Sequence, residues 1–163
     1  MMTLYPSSNS TLNAFFLNMQ QATTSLLSGP IHGTAQTQYM KTTISVKNTT
    51  IIADLALTPD QQTRGLSGRE PLGQNQGMLF VFKTPGNYGF WMKEMKFPLD
   101  IFWIDANHSA VYIKENLPPC PSIENCPTYF PDVDAPYVLE MVAGFAQRHG
   151  ITNGTHFDFK LPG

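Results

Sequence analysis

Apolar and polar positions alternate from Lys41 onward, and this alternation dominates the rest of the chain. Ile44 and Val46 flank Ser45, Lys47-Asn48-Thr49 is turn chemistry, and Ile51, Ala53, Leu55 and Leu57 alternate again. Period-two spacing on both sides of a polar turn predicts a β-hairpin with one buried face. Thr58-Pro59-Asp60-Gln61 follows, with an N-cap hydroxyl, a proline at the first helical position and a Gln at the capping-box position. A helix of about two turns is expected there, ended by Gly65. Arg64-Gly65-Leu66-Ser67-Gly68-Arg69 then reads as a turn-rich loop.

The remaining apolar runs are short and punctuated. Met78–Phe82 and Phe90–Met92 read as strands split by Thr84-Pro85-Gly86-Asn87. Leu99–Ile104 is bounded by Pro98 and the turn Asp105-Ala106-Asn107-His108, and Ala110–Lys114 returns as its hairpin partner. Tyr137–Val142 and Thr155–Leu161 complete the strands, with a single helical turn over Gly144–His149 closed by Gly150. Seven to nine short strands with little helix predict an all-β domain over residues 41–163, an antiparallel β-sandwich or barrel.

Residues 1–40 differ. They contain no Asp, Glu, Arg or Lys. Leu12, Phe15, Phe16, Met19, Leu26 and Leu27 follow helical spacing after Ser10-Thr11, and Gly29-Pro30 would end that helix. An N-terminal helix with a linker over residues 31–40 is expected, packed on the domain, serving as a membrane-proximal stalk or docked on another subunit.

Composition narrows the function classes. Charged residues make up 13% of the chain and the net charge is −2, without a basic run, which argues against a nucleic-acid partner. No stretch reaches the roughly 18–20 apolar residues of a transmembrane span, and no basic-apolar-small leader pattern opens the chain. Cys120 and Cys126 lie in a Pro-rich segment, too far apart for a Cys-X-X-Cys motif and too few for a structural zinc site. A disulfide-closed loop is the simplest reading, with reduced thiols as the alternative, and it points to an oxidising compartment. Sequons at Asn9, Asn48, Asn107 and Asn153 suggest a glycosylated extracellular or cell-surface protein; the alternative is chance in a Thr-rich composition.

Several motifs occur together in order: Arg64-Gly65-Leu66, Gly77-Met78-Leu79-Phe80-Val81-Phe82, Phe90-Trp91-Met92-Lys93, Pro98-Leu99-Asp100-Ile101-Phe102, Ile104-Asp105, and Tyr137-Val138-Leu139-Glu140 followed by Gly144. This set resembles the uncharacterised family known as domain of unknown function 192, over about residues 43–161. The Cys loop with Pro127 and Tyr129 is also similar to that family. The resemblance implies a β-sandwich of jelly-roll type, often exported, and no established activity. Ser67 stands where the family usually has Met, and Glu94-Met95 where it usually has Asn-Thr.

The chemistry-bearing candidates are acids and bases set among apolar residues. Asp100 and Glu140 each interrupt an apolar strand, and a carboxylate there must be paired, hydrogen-bonded or protonated. Arg64, Arg69 and Lys93 are the natural partners. Three readings follow: a structural ion pair, a ligand cleft in which Trp91, Tyr88 and Phe90 add flat faces, or an acid–base pair for sugar cleavage if the carboxyls lie about 5–10 Å apart.

Met78, Met92, Met95 and Met141 with His108, His149 and His156 raise copper, but they show no ligand spacing and read as core. No nucleophile elbow or phosphate loop is present, and no cofactor or metal is expected. The sequence thus favours an extracytoplasmic β-sandwich binding a ligand or partner, a carbohydrate or a cell-envelope protein, through Arg64, Arg69, Trp91, Lys93, Asp100 and Glu140. A polysaccharide hydrolase using Asp100 and Glu140, and a structural subunit self-assembling through residues 1–40, are the alternatives.

Overall fold

The computed structural model describes residues 38–122 and 124–163. The expected N-terminal helix, most of its linker and the sequon at Asn9 lie outside the described residues. The domain that follows is built from nine strands and two short helices. The hairpin forms as its alternation requires, with β1 at Lys41–Val46 and β2 at Thr49–Ala56 around a turn at Lys47-Asn48. Helix α1 spans Pro59–Arg64 with the full capping box, Thr58 accepting from the Gln61 N–H and the Gln61 side chain accepting from the Thr58 N–H.

Strands β3 (Gln76–Gly86), β4 (Phe90–Trp91), β5 (Leu99–Ile104), β6 (Ala110–Leu117), β7 (Thr128–Tyr129), β8 (Ala135–Val142) and β9 (Phe157–Phe159) follow, with α2 at Phe145–His149. Seven strands form one sheet in the order β6-β5-β8-β3-β2-β1-β9, and β4 and β7 form a separate ribbon. The edge strands β6 and β9 meet through the Ser109–His156 bridge and the Ala110 N–H to Thr155 carbonyl bond of 2.9 Å, so the sheet curls. The all-β expectation holds.

Two finer expectations are corrected. Pairing is not wholly antiparallel: β2 and β3 run parallel, Ile52 opposite Gln76 through Ala56 opposite Phe80. A jelly-roll stack of two sheets is replaced by one curled sheet with a ribbon. The first correction has a physical consequence. Parallel neighbours cannot be joined by a tight turn and need a crossover. Here the crossover is Leu57–Asn75, which carries α1 and the Arg64–Arg69 loop.

Side chains on the two faces of the sheet feed separate cores. Ile44, Leu79, Phe102, Leu139, Met141 and Phe157 pack inside the curl with Phe145 of α2. Met78, Phe80, Ile101, Trp103 and Val138 point the other way and meet Leu66, Met92, Met95 and Phe97. Every residue of β5 is buried, so its sequence is apolar throughout except for Asp100, where a half-exposed strand would alternate. Trp103 anchors the second core, its indole N–H donating to the Tyr88 carbonyl at 2.9 Å. The expected turn at Thr84–Asn87 is displaced, because β3 runs on to Gly86 after a register break beyond Val81.

Asp100 belongs to the inner face. It is fully buried, and its carboxylate accepts from the Ala146 N–H at 2.8 Å and the Asn116 N–H at 2.8 Å. The first bond supplies the cap that Gly144, lacking a side chain, cannot give to α2. The second satisfies the irregular backbone of β6, where Asn116 adopts φ 54°. Asp100 therefore holds backbone in place. Hydrogen bonds to a charged group contribute about 1.5–3 kcal/mol each. Asp100→Ala is expected to destabilise the domain by about 3 kcal/mol, read as a lowered urea midpoint, and a midpoint within experimental error of wild type would refute this role.

Candidate functional site

The crossover does not lie flat on the outer face of the sheet. Between α1, β3, the Tyr88 loop and β4 it leaves a cavity of about 380 Å³. Phe80 and Phe82 of β3 supply one wall, Tyr88, Phe90 and Trp91 another, and Gly65 at the end of α1 forms part of the roof. The aromatics brace one another: Phe82 and Tyr88 stack at 3.6 Å between centroids, and Phe80 meets Phe90 edge-on at 4.8 Å. Phe90 in turn stands edge-on to Trp103 at 5.8 Å, which ties this wall to the sheet. Trp91 is 46% exposed, a large flat face open to solvent at the mouth.

Glu140 of β8 also lines the cavity. It is 4% exposed, and its Oε2 has no hydrogen-bond partner among the described residues. Burial raises its pKa from 4.5 to about 8, against the opposing field of the Arg69 guanidinium. At neutral pH the group is a neutral acid able to donate one hydrogen bond. Gly65 keeps it approachable. A Cβ at Gly65 would stand 3.2 Å from the Phe80 ring and 3.9 Å from Glu140 Oε2, and its φ of 51° also disfavours a side chain.

Sheet register separates the two carboxylates singled out from sequence. Residues directly opposite on paired strands share a face. Asp100 lies opposite Met141, and Glu140 opposite Ile101, so Asp100 and Glu140 point to opposite faces. Asp100 does not line the cavity, and the pair is not brought together. The carboxylate that shares the face of Glu140 is Asp54, in the row Asp54–Met78–Glu140 across β2, β3 and β8. Two strand spacings put their Cα atoms about 10 Å apart. Asp54 bonds to Arg69 at 2.7 Å and to Lys41. Burial raises its pKa, but the bonds from Arg69 and Lys41 outweigh this and hold it below the ordinary value. It escaped the sequence reading because a single acid in an alternating strand is ordinary solvent-face chemistry.

The other expected residues gather around the mouth. Arg64 lines the cavity together with Trp91, and it also lines an adjoining cleft with Lys93. Lys93 lies over the Trp91 ring at 5.2 Å. Arg69 lies on the far side, over Tyr39 at 4.5 Å and paired to Asp54. The roof is latched to the wall by Ser67, whose hydroxyl donates to the Lys93 carbonyl at 3.0 Å, and by the Gly68 N–H to Glu94 carbonyl bond of 2.9 Å. Cys120 and Cys126 form a disulfide, and the Cys120 N–H donates to the Met92 carbonyl at 3.1 Å beside β4. Met78, Met92, Met95 and Met141 are all buried in the cores. Among the described residues no group of three His, Cys, Asp or Glu is placed to hold a metal.

A family model, DUF192, with the description "Uncharacterized ACR", matches residues 40–159. The chain belongs to the DUF192 family. The resemblance read from the ordered motifs is thereby established, and several of those motifs meet at the cavity: Arg64-Gly65-Leu66, Phe80, Phe90-Trp91 and Glu140. A Sinorhizobium meliloti protein, whose description proposes a transcription regulator, is similar in structure with a TM-score of 0.69. It is 28% identical over 74% of this chain and 95% of its own. A Novosphingobium aromaticivorans protein of unknown function aligns with a TM-score of 0.65 and 26% identity, over 81% of this chain and 93% of its own. None of the curated proteins matches the chain.

The two DUF192 departures acquire a local account. Ser67 uses its hydroxyl as the roof latch. Glu94 adopts φ 56°, a left-handed conformation that Asn tolerates better than Glu. Glu94→Asn is therefore expected to raise stability by up to about 1 kcal/mol, read in urea unfolding.

Proton linkage gives a second outcome. Glu140 loses its proton near 4.5 when unfolded and near 8 when folded. Between those values the native state binds the extra proton, so its contribution to stability falls with rising pH, by at most about 1.4 kcal/mol per unit. Asp54 acts in the opposite sense, its stabilisation being lost as pH falls through the acid range. The melting temperature of Glu140→Gln relative to wild type should rise steadily from pH 5 to 8. A constant difference across that window would show Glu140 already ionised.

Proposed function

We propose that this chain is an extracytoplasmic binding module whose cavity takes a small polar molecule with one flat apolar face, the chemistry of a sugar ring. The observation that carries this reading is Glu140 Oε2, buried without a partner among the described residues at a cavity walled by aromatic rings. A buried polar atom left unpaired costs about 1–3 kcal/mol, a cost that a ligand's hydroxyl would remove. Pockets of about 300–1,000 Å³ with apolar walls and few polar groups are the usual form of small-molecule sites. Trp91 offers the stacking face and Glu140 the hydrogen bond.

The placement outside the cytoplasm is supported by the Cys120–Cys126 disulfide. It is also supported by Asn48, Asn107 and Asn153, all exposed in turns where glycan could be attached. No described helix is long and apolar enough to cross a membrane. The transcription role proposed for the Sinorhizobium protein is not carried over. The net charge here is −2, and the described helices span six and five residues, too short to read a groove. Hydrolysis finds less support than binding: Asp54, the acid on the face of Glu140, is engaged by two cations and is a poor base. Self-assembly through residues 1–40 falls outside the described residues.

The test is a titration of Trp91 fluorescence with a panel of mono- to trisaccharides. At least one sugar is expected to bind in the millimolar range or tighter, with Glu140→Gln and Trp91→Ala each weakening it about tenfold and no cleavage product forming. Failure of the whole panel at about 10 mM, with the protein folded, would remove the reading.

A further inference from the structure

Two buried side-chain oxygens lack a hydrogen-bond partner among the described residues: Glu140 Oε2 and the Tyr39 hydroxyl. Each lines a different concavity. Glu140 lines the aromatic cavity, while Tyr39 lines a neighbouring cleft with Lys41, Asp54, Ser67 and Arg69. Arg64 lines both. The second cleft holds three cations, Lys41, Arg64 and Arg69, against one acid, Asp54. Among the described residues the ion pairs are Lys41–Asp54, Arg69–Asp54 and Lys96–Glu70, and Arg64 is in none of them. The aromatic cavity thus opens beside a guanidinium with no acid assigned to it, in a cleft with an excess of positive charge.

We propose that the ligand is an acidic sugar, with its ring in the aromatic cavity and its carboxylate on Arg64 in the cleft shared with Lys41 and Arg69. This rests on the sugar-binding reading above and sharpens it to one class. A guanidinium presents paired N–H donors that match a carboxylate, and such charge-assisted bonds are about twice as strong as neutral ones. The Tyr39 hydroxyl, without a partner among the described residues, supplies a further donor to the same anion. An ionised acid at Glu140 would repel an anionic ligand. Its neutral form at pH 7 does not, and it can donate to a ring or hydroxyl oxygen. Asp60 and Glu94 line the separate cleft that Arg64 shares with Lys93, which favours the cleft of Lys41 and Arg69 for the anion.

Calorimetric titration at pH 7 with D-glucuronate and D-glucose tests the assignment. Glucuronate is expected to bind about tenfold tighter than glucose at low salt, with the preference shrinking as ionic strength rises. Arg64→Gln is expected to lower glucuronate affinity about tenfold, while Lys83→Gln, on an exposed part of β3 away from the site, leaves it unchanged. A glucuronate trimer distinguishes sources: tighter binding than the monomer marks a polysaccharide end, and equal binding marks the free acid, either supporting the class. Equal affinity for glucose and glucuronate, or an Arg64→Gln variant within about twofold of wild type for glucuronate, overturns the acidic-sugar assignment. If glucose binds in a Glu140-dependent way without that preference, only this inference falls. If neither sugar binds the folded protein, the sugar-binding reading falls with it.

Discussion

The parallel pairing of β2 with β3 is the constraint on which the rest of the structure depends. Antiparallel neighbours can be joined by two residues, but parallel neighbours cannot. The chain must leave the end of β2 and return to the start of β3 across a face of the sheet. That return carries α1, Gly65 and the Arg64–Arg69 loop over the outer face, where they roof the cavity. The capping box at Thr58 and Gln61 fixes where α1 begins, and Gly65 with φ 51° fixes where it stops. An all-antiparallel hairpin at this point would have no crossover, and Glu140 would lie against solvent or packed side chains.

Asp100 and Glu140 show how position within a sheet decides the fate of identical chemistry. Both are carboxyl groups in the middle of apolar strands, and both are buried. Adjacent strands place them one residue out of register with each other, on opposite faces. On the inner face Asp100 accepts from two backbone N–H groups, at a helix start and at a strand irregularity. It is satisfied and structural. On the outer face Glu140 meets aromatic rings and a glycine, and burial outweighs the field of the Arg69 guanidinium, so it stays protonated. A fold that placed Glu140 there only for stability would do better with an apolar residue of the same size.

The mouth of the cavity is held by small, specific ties. The Ser67 latch, the Trp103 bond to the Tyr88 carbonyl and the Cys120 N–H to the Met92 carbonyl each fix one edge to a rigid element. The ribbon of β4 and β7 is only two residues wide on each side, too small to stand by itself. It is positioned by the disulfide-closed loop and by the edge-on contacts from Phe90 to Phe80 and Trp103. The aromatic wall is therefore preorganised, which lowers the ordering cost of binding.

Local rules decided much of this protein. The β1–β2 hairpin, the bounds of α1, the β5–β6 hairpin and the disulfide loop follow from period-two spacing, capping chemistry, turn residues and two nearby thiols. Their causes lie within a few residues of one another, so they are written in the order of the chain. The short ribbon strand β7 escaped that reading, because two residues show no period. Of the site, the sequence marked Arg64, Trp91, Lys93 and Glu140 as polar or exposed groups among apolar runs, but it also joined Asp100 to them. Only the tertiary structure could separate Asp100 and bring in Asp54, Gly65 and Phe80. Which face a side chain joins depends on register with strands far away in sequence, and a shift of one residue exchanges the two faces. No local pattern encodes that register; it is set when both faces of the sheet find enough apolar surface to bury.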